Sequence, residues 1–284
     1  MEAVSVIIIA KNEEQRIGRA LDCVLAWNPA ELIVVDGLSH DRTVEIARAK
    51  GAQVLTGGRG VAGDRQIGID AAKHDLICLI DADHRPTPDD LGKLLRDMDE
   101  FQFDAVQAQV AIEETGFWTR AENEAFEVFH HVPGPRSMMG TAPALYRKSV
   151  FEIARFDEQR PGVSDDADLF YRLHKSGLAW FGIGRTKIYQ EHHANAADYY
   201  AKFKFYGRRD AGFCLKHPQR AWSMFLHLMV TYPILRPARA LARGKWRGAL
   251  YLWFCGGVRL SAMFGRLLGE AFKPKSRASE TAAA

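Results

Sequence analysis

The chain has 284 residues, 47% of them hydrophobic and 26% charged, which is globular usage and excludes a disordered or fibrous protein. Its length suits one large α/β domain or a domain with an appendage. The net charge of +3 conceals an asymmetry: residues 201–284 hold 16 Lys and Arg against Asp210, Glu270 and Glu280, whereas residues 1–200 hold 22 against 32 acids. An acidic body with a basic tail points to an anionic surface, either lipid headgroups or nucleic acid.

The opening MEAVSVIIIAKNEE places no bases before its apolar run and acids after it, so it reads as a first strand rather than a signal peptide. Short apolar or β-branched runs predict strands at 4–10, 31–36, 52–56 and 75–81, and helical spacing predicts helices at 13–26, 40–50 and 63–73 between them. Strands this continuously apolar belong to a parallel sheet covered on both faces. Ligands of such sheets bind beyond the carboxyl ends of the strands, here residues 11–13, 36–39, 57–65 and 81–83. A strand at 105–112, a helix at 117–130, a Gly/Pro-rich loop at 132–143, a strand at 144–147, a helix at 165–176 and a strand near 179–183 follow. Past Asp198 aromatics mix with bases, and two apolar stretches, 222–235 and 249–264, are each shorter than the ~20 residues needed to span a bilayer. They read as interfacial or re-entrant helices, the alternative being a helical pair packed on the domain. Cys23, Cys78, Cys214 and Cys255 are scattered without a CxxC pair, which excludes a disulfide scaffold or zinc module and suits a reducing compartment.

Asp81-Ala82-Asp83 closes the apolar strand Leu-Ile-Cys-Leu-Ile. Side chains two apart on a strand share a face, so the pair can hold a hard divalent ion that also takes diphosphate oxygens. Asp97-Met98-Asp99 has the same spacing in a charged, helix-like stretch and reads as a solvated face. Asp36 closes the second strand and can accept from a ribose or a base edge, while Ser39 and Asp41 read as caps of the next helix. The glycine-rich stretch 57–68 can bring Arg65 and backbone N–H groups to phosphate, and it is not a Walker A loop. Asp165, Asp166 and Asp168 place three acids in four residues, more than a helix N-terminus needs. His192-His193 follow a strand-like run and can ligate metal, and Arg208 and Arg209 can meet a lipid phosphate.

Taken in order, Ser5–Glu13, Ile33–Thr43, Arg65-Gln-Ile-Gly68 and Ile80-Asp-Ala-Asp83 resemble family 2 glycosyltransferases of the GT-A fold. Gly140-Thr-Ala, Tyr146-Arg147, Phe156-Asp-Glu158 and the stretch from Ser164 to Leu173 resemble the acceptor half of the same family. The resemblance implies a Rossmann-like, mostly parallel sheet over residues 1–198, divided into a nucleotide-sugar half (1–110) and an acceptor half (111–198). A basic, apolar helical tail (199–284) would associate with the membrane. It further implies an inverting, hexosyltransferase-type enzyme dependent on Mg2+ or Mn2+. Glu13, Asp36, Arg65 and Asp81 would bind the donor. Asp83 and His192 would hold the metal, Asp166 would be the base, and Asp165, Asp168 and Arg147 would lie on the acceptor side. The sequence departs from the family pattern at Gly37, where a second acid is usual, at Gln66, where Asn is usual, and at Asp165, where Glu is usual.

The expected reaction is transfer from a UDP-sugar, or else a GDP-sugar, to a lipid-linked glycan of exopolysaccharide or cell-envelope synthesis. It would take place at the cytoplasmic face of the inner or plasma membrane, with the protein peripheral or monotopic. Direct transfer to polyprenyl phosphate is the near alternative. A non-catalytic nucleotide or nucleic-acid module is disfavoured, because long apolar runs separate the bases, and no nucleic-acid partner is expected. The absence of Gly-x-Gly-x-x-Gly at the first helix excludes a dinucleotide-binding dehydrogenase.

Overall fold

A computed structural model describes residues 2–159, 163–191 and 195–271. The first half alternates as expected: β1 (Val4–Ala10), α1 (Ile17–Leu25), β2 (Glu31–Asp36), α2 (Thr43–Ala49), β3 (Gln53–Thr56), α3 (Gly60–Ala71) and β4 (Leu76–Asp81). A two-residue strand β5 (His84–Arg85), α4 (Asp90–Glu100), β6 (Ala105–Ile112), α5 (Phe117–Phe129), β7 (Gly134–Pro135), β8 (Ala144–Arg147), α6 (Val150–Ile153), α7 (Asp165–Ser176) and β9 (Phe181–Gln190) complete the body. The sheet order is β3-β2-β1-β4-β8-β6-β9-β5, with β7 on β9. β1 to β4 run parallel and β8 antiparallel.

Alternation along β1 explains the layers. Val4, Val6 and Ile8 face Ile17, Leu21 and Val24 of α1 and Leu91 and Leu94 of α4, whereas Ile7 faces Ile69 of α3 and, with Tyr146, the α7 residues Leu169 and Phe170. Each face buries its own apolar cluster, the dominant stabilising contribution. α3 lies so close to the sheet that a Cβ at Gly68 would strike Ile7. The expected strand near 179–183 and the strand-like run before His192 are one strand, β9. Asp97 is the reason, and it corrects the solvated reading of that helix: it is buried, and its Oδ2 accepts from the Arg185 N–H (2.9 Å), the Thr186 N–H (2.8 Å) and Thr186 Oγ1 (2.6 Å).

The tail is helical: α8 (Ala196–Lys216), α9 (Pro218–Leu226), a π-helical stretch (His227–Leu235), α10 (Arg236–Ala242) and α11 (Trp246–Ala271). Pro233 lies in the π stretch, where its missing N–H removes a helical bond. The helices pack on the body. Tyr199, Phe203, Tyr251, Leu252 and Cys255 bury against Ala121, Ala125 and Val128 of α5, and Ala211, Phe213 and Met263 cluster with Ala167 of α7. At Gly207 a Cβ would collide with the carbonyl of Arg259, so α8 and α11 meet backbone to backbone. Glu122 of α5 is buried in this junction and accepts from Tyr199 Oη (2.6 Å) and Tyr251 Oη (2.8 Å). Among the described residues, no helix is long and apolar enough to cross a membrane.

Candidate active site

Parallel pairing fixes the carboxyl ends of the strands. Ala10 lies beside Asp36 and Ile9 beside Asp81, which sets the two aspartates about 10 Å apart across β1. Beyond Asp81 the chain turns, and ligand atoms of Asp81, Asp83 and His84 all lie within 4.8 Å of one another. The turn is braced on every side. His84 Nδ1 accepts the Asp81 N–H (2.8 Å), Arg85 Nη1 donates to the Ala82 carbonyl, and Arg85 Nε donates to Glu191. Gln190 Nε2 donates to Asp83 Oδ2 (2.8 Å), while Asp83 Oδ1 is buried without a hydrogen-bond partner. An orphaned carboxylate oxygen costs roughly 1–3 kcal/mol or more, and a cation satisfies it. Two carboxylates with an imidazole suit Mn2+ or Mg2+.

Asp36 is buried. Its Oδ2 accepts the Ser39 N–H (3.1 Å), and its Oδ1 has no partner, which leaves an acceptor for a nucleoside. Ser39 does not cap α2: its Oγ accepts the Asn12 N–H (2.8 Å), and Asp41 Oδ2 accepts the Glu14 N–H (3.0 Å), stitching the loops after β1 and β2 together. Burial raises the pKa of Glu13, against the opposing charge of Arg16 at 3.3 Å.

Arg65 joins the end of β4 to the start of α7. Its side chain is 8% exposed; Nη2 donates to Asp81 (3.0 Å) and Nη1 to Asp165 Oδ2 (2.6 Å). Arg209 of α8 donates to the other Asp165 oxygen (2.6 Å). The result is a chain Arg209–Asp165–Arg65–Asp81. Burial alone would raise the Asp81 pKa, but Arg65 and then His84 outweigh it and hold the carboxyl below its usual range. Asp166, the next residue, goes the other way: burial first, then the charge of Asp165, raise its pKa. Its Oδ1 accepts from Ser164 Oγ (2.6 Å) and the Ala167 N–H (2.7 Å). Asp81 and Asp166 are thus shifted in opposite directions, and a carboxyl whose pKa is raised by its surroundings is the pattern of a group kept for proton transfer.

Other expected residues fall elsewhere. Asp168 turns to the end of α8, where Lys216 (2.6 Å), His217 (2.7 Å) and Arg172 (2.8 Å) take its oxygens. These bonds make it an anchor between α7 and α8. Arg147 pairs in register with Leu76, at the start of β4, about 17 Å from the Asp81 end. The antiparallel direction of β8 puts it at the opposite end of the strands from Asp81 and Asp83. His192 and His193 lie outside the described residues; Glu191 before them donates its N–H to the Asp83 carbonyl (2.8 Å). The sequence reading missed His84, Gln190 and the destination of Arg209. His84 directly follows Asp83 and carried a signal, whereas Arg209 looked like one more base of an outward-facing tail.

Residues 5–155 match the family described as Glycosyl transferase family 2. The chain belongs to this family. An uncharacterised glycosyltransferase of Rickettsia typhi is 38% identical over 104 residues, 36% of this chain and 34% of that protein. The chain thus spans about a third of the length of the curated relatives it matches. Among solved structures, the mannosyltransferase PcManGT from Pyrobaculum calidifontis, in complex with GDP-Man and Mn2+, is similar at TM-score 0.65 and 17% identity, over 94% of this chain and 87% of that one. Glucosyl-3-phosphoglycerate synthase from Mycobacterium tuberculosis, with Mn2+, UDP-glucose and phosphoglyceric acid, is similar at TM-score 0.53 and 19% identity, over 75% and 79%. At these identities the likeness is one of fold, and it is the GT-A fold. The family 2 match covers every strand-end acid from Glu13 to Asp83.

Proposed function

We propose that the chain transfers a sugar, with inversion, from a UDP-sugar or else a GDP-sugar to a lipid-linked glycan at the cytoplasmic face of a membrane. The observation that carries this reading is the linkage of the strand-end acids to Asp165-Asp166 through Arg65. Asp36 would take the nucleoside on its open Oδ1, and Glu13 lies on the neighbouring loop. Asp81, Asp83 and His84 would hold a divalent ion, which when bound supplies positive charge against the departing diphosphate. Arg65 adds a fixed cation beside it. Asp166 would accept the proton of the attacking hydroxyl as its oxygen bonds to the anomeric carbon. The bond from that carbon to the diphosphate breaks, and the electron pair leaves with the diphosphate. The raised pKa of Asp166 suits that task, since a base works best when its pKa lies near the operating pH.

The donor-bound structures of PcManGT and the synthase, with Mn2+, support the nucleotide-sugar and metal parts of the reading. The lipid-linked acceptor and a role in exopolysaccharide or envelope synthesis rest on the basic, apolar tail. The test is a thermal-shift panel of UDP, GDP, CDP and dTDP with and without Mn2+ or Mg2+, on wild type and Asp83→Ala. Ligand at 100 times Kd stabilises by about 2.7 kcal/mol, a rise of roughly 5–10 °C for a domain of this size. One nucleotide should give that rise, only with metal and only in wild type. An equal response in Asp83→Ala refutes the metal assignment.

A further inference from the structure

Residues 218–242 form one continuous helical run, and α11 lies beside it. Both have two apolar faces. The inner faces, with Met224, Leu228, Leu252 and Cys255, are buried in the junction with α5, α7 and α8. The outer faces are open: Trp222 (69% exposed), Leu226 and Ile234 on the first helix, Trp246, Leu250 and Trp253 on the second. On α11 the spacing continues to Phe264 and Leu268, so the stripe follows one helical face for about 33 Å. Trp253 Nε1 donates to the Pro233 carbonyl (2.7 Å), which fixes the two stripes side by side. A soluble surface seldom leaves so long an apolar face without a partner.

Bases predominate around this face, and the acids beside Trp246, Glu124 and Glu127, are paired with Arg247 and Lys245. Arg220, Arg239 and Arg243 are exposed and form no ion pair among the described residues. Arg236, at the start of α10 where it meets α5, lies against the rings of Phe129 and Tyr232, each 5.0 Å away, and its buried Nε has no hydrogen-bond partner. A largely buried guanidinium with no carboxylate is a standing demand for an anion. A second copy of this face would bring bases against bases, which disfavours self-association. Trp side chains within a basic, apolar strip fit a headgroup–acyl boundary.

We propose that the outer face of residues 218–242 and α11 lies in the plane of an anionic lipid layer, with Trp222, Ile234 and Leu250 entering it and Arg236 taking a headgroup phosphate. The inference gives the membrane part of the proposed function a surface, and it is independent of the donor chemistry. Its test is flotation of the full chain with vesicles of phosphatidylcholine alone or with about one-third phosphatidylglycerol, comparing wild type, Trp222→Ser/Ile234→Ser/Leu250→Ser and Arg236→Gln. Wild type should partition at least roughly tenfold more strongly to the anionic vesicles, and the triple variant should lose at least roughly tenfold, the factor that ~1.4 kcal/mol of lost apolar burial gives. Arg236→Gln should bind anionic vesicles several-fold more weakly and neutral ones unchanged. The metal-dependent nucleotide shift, retained in all variants, reports the fold and separates this proposal from the catalytic one. If the triple variant misfolds, Trp222→Ser alone is read, with a several-fold loss expected. Equal flotation of variant and wild type, no flotation of wild type, or a soluble dimer that the substitutions dissolve would each overturn the proposal.

Discussion

Asp165→Asn separates the structural and chemical consequences of the ion chain. Asp165 is 12% exposed and receives Arg65 and Arg209, whose side chains are 8% and 15% exposed, each at 2.6 Å. Removing one partner of a buried pair costs about 3–5 kcal/mol. A hydrogen bond to a charged group contributes about 1.5–3 kcal/mol. Asn keeps one oxygen for one guanidinium and turns its NH2 toward the other, so the net loss should be about 3 kcal/mol. At about 2–4 °C per kcal/mol for a domain of this size, the melting temperature falls by roughly 6–12 °C.

The same substitution acts on Asp166. Burial is the first cause of its raised pKa, and the charge of Asp165 is the second. As a base, Asp166 works only when ionised, so activity falls as pH drops through its pKa. Without Asp165 that pKa moves down, and the acid limb of the pH–rate profile moves to lower pH. Release of nucleoside diphosphate, measured from pH 4.5 to 8 with the donor that the thermal-shift panel selects, reads this directly. The melting temperature and the limb are separate observables, and a purely structural Asp165 would change only the first. An acid limb that stays in place or moves to higher pH refutes the assignment of Asp166 as base.

Asp166→Asn should abolish transfer yet raise stability near neutral pH by roughly 0.5–2 kcal/mol in chemical denaturation, because it removes a carboxylate that the fold disfavours ionising. Asp97→Ala orphans three donors on β9 and should cost about 3 kcal/mol or more, with the nucleotide-induced thermal shift retained at lower temperature. Gly207→Ala should cost about 1–3 kcal/mol by forcing α8 off the Arg259 carbonyl, and should weaken the grip of Arg209 on Asp165, read as a lower melting temperature and a displaced acid limb.

What was legible in the sequence was whatever depends on neighbours along the chain. The bounds of β1, β2, β6, β8 and α7 follow from apolar runs or helical spacing ended by polar residues, and the strand-end acids follow from the bounds. What depends on distant partners was not legible. Gly182, Gly184, Arg185 and Thr186 break the strand pattern, and only Asp97, 88 and 89 residues before the last two, restores it by accepting their N–H groups. Asp97 itself looked solvated for the same reason. Arg209 reads as a surface base until α8 is laid along α7, where it meets Asp165. The tail showed its composition but not its packing, because its helices carry apolar residues on two faces and composition does not say which one the body takes.

Two of the departures from the family pattern, at Gly37 and Gln66, are explained by what surrounds them. At Gly37 a Cβ would stand 3.2 Å from Asp64 Oδ2 and 3.2 Å from the Lys11 Cβ. Asp64 is buried there, its Oδ1 accepting the Arg59 N–H (2.9 Å). The carboxylate missing after β2 is therefore present in the same space, delivered from α3, and a second acid at position 37 would be set against it. Gln66 has likewise been given a task that a shorter Asn would not reach in the same way: Oε1 accepts the Phe156 N–H (2.9 Å) while Nε2 donates to Asp70 (2.9 Å). It ties α3 to the segment before α7. Since Arg65 is its neighbour, that tie also fixes where Arg65 can reach, between Asp81 on one side and Asp165 on the other. The residues that look like losses from the motif are thus part of how this chain holds the end of β4 and the start of α7 at a fixed distance.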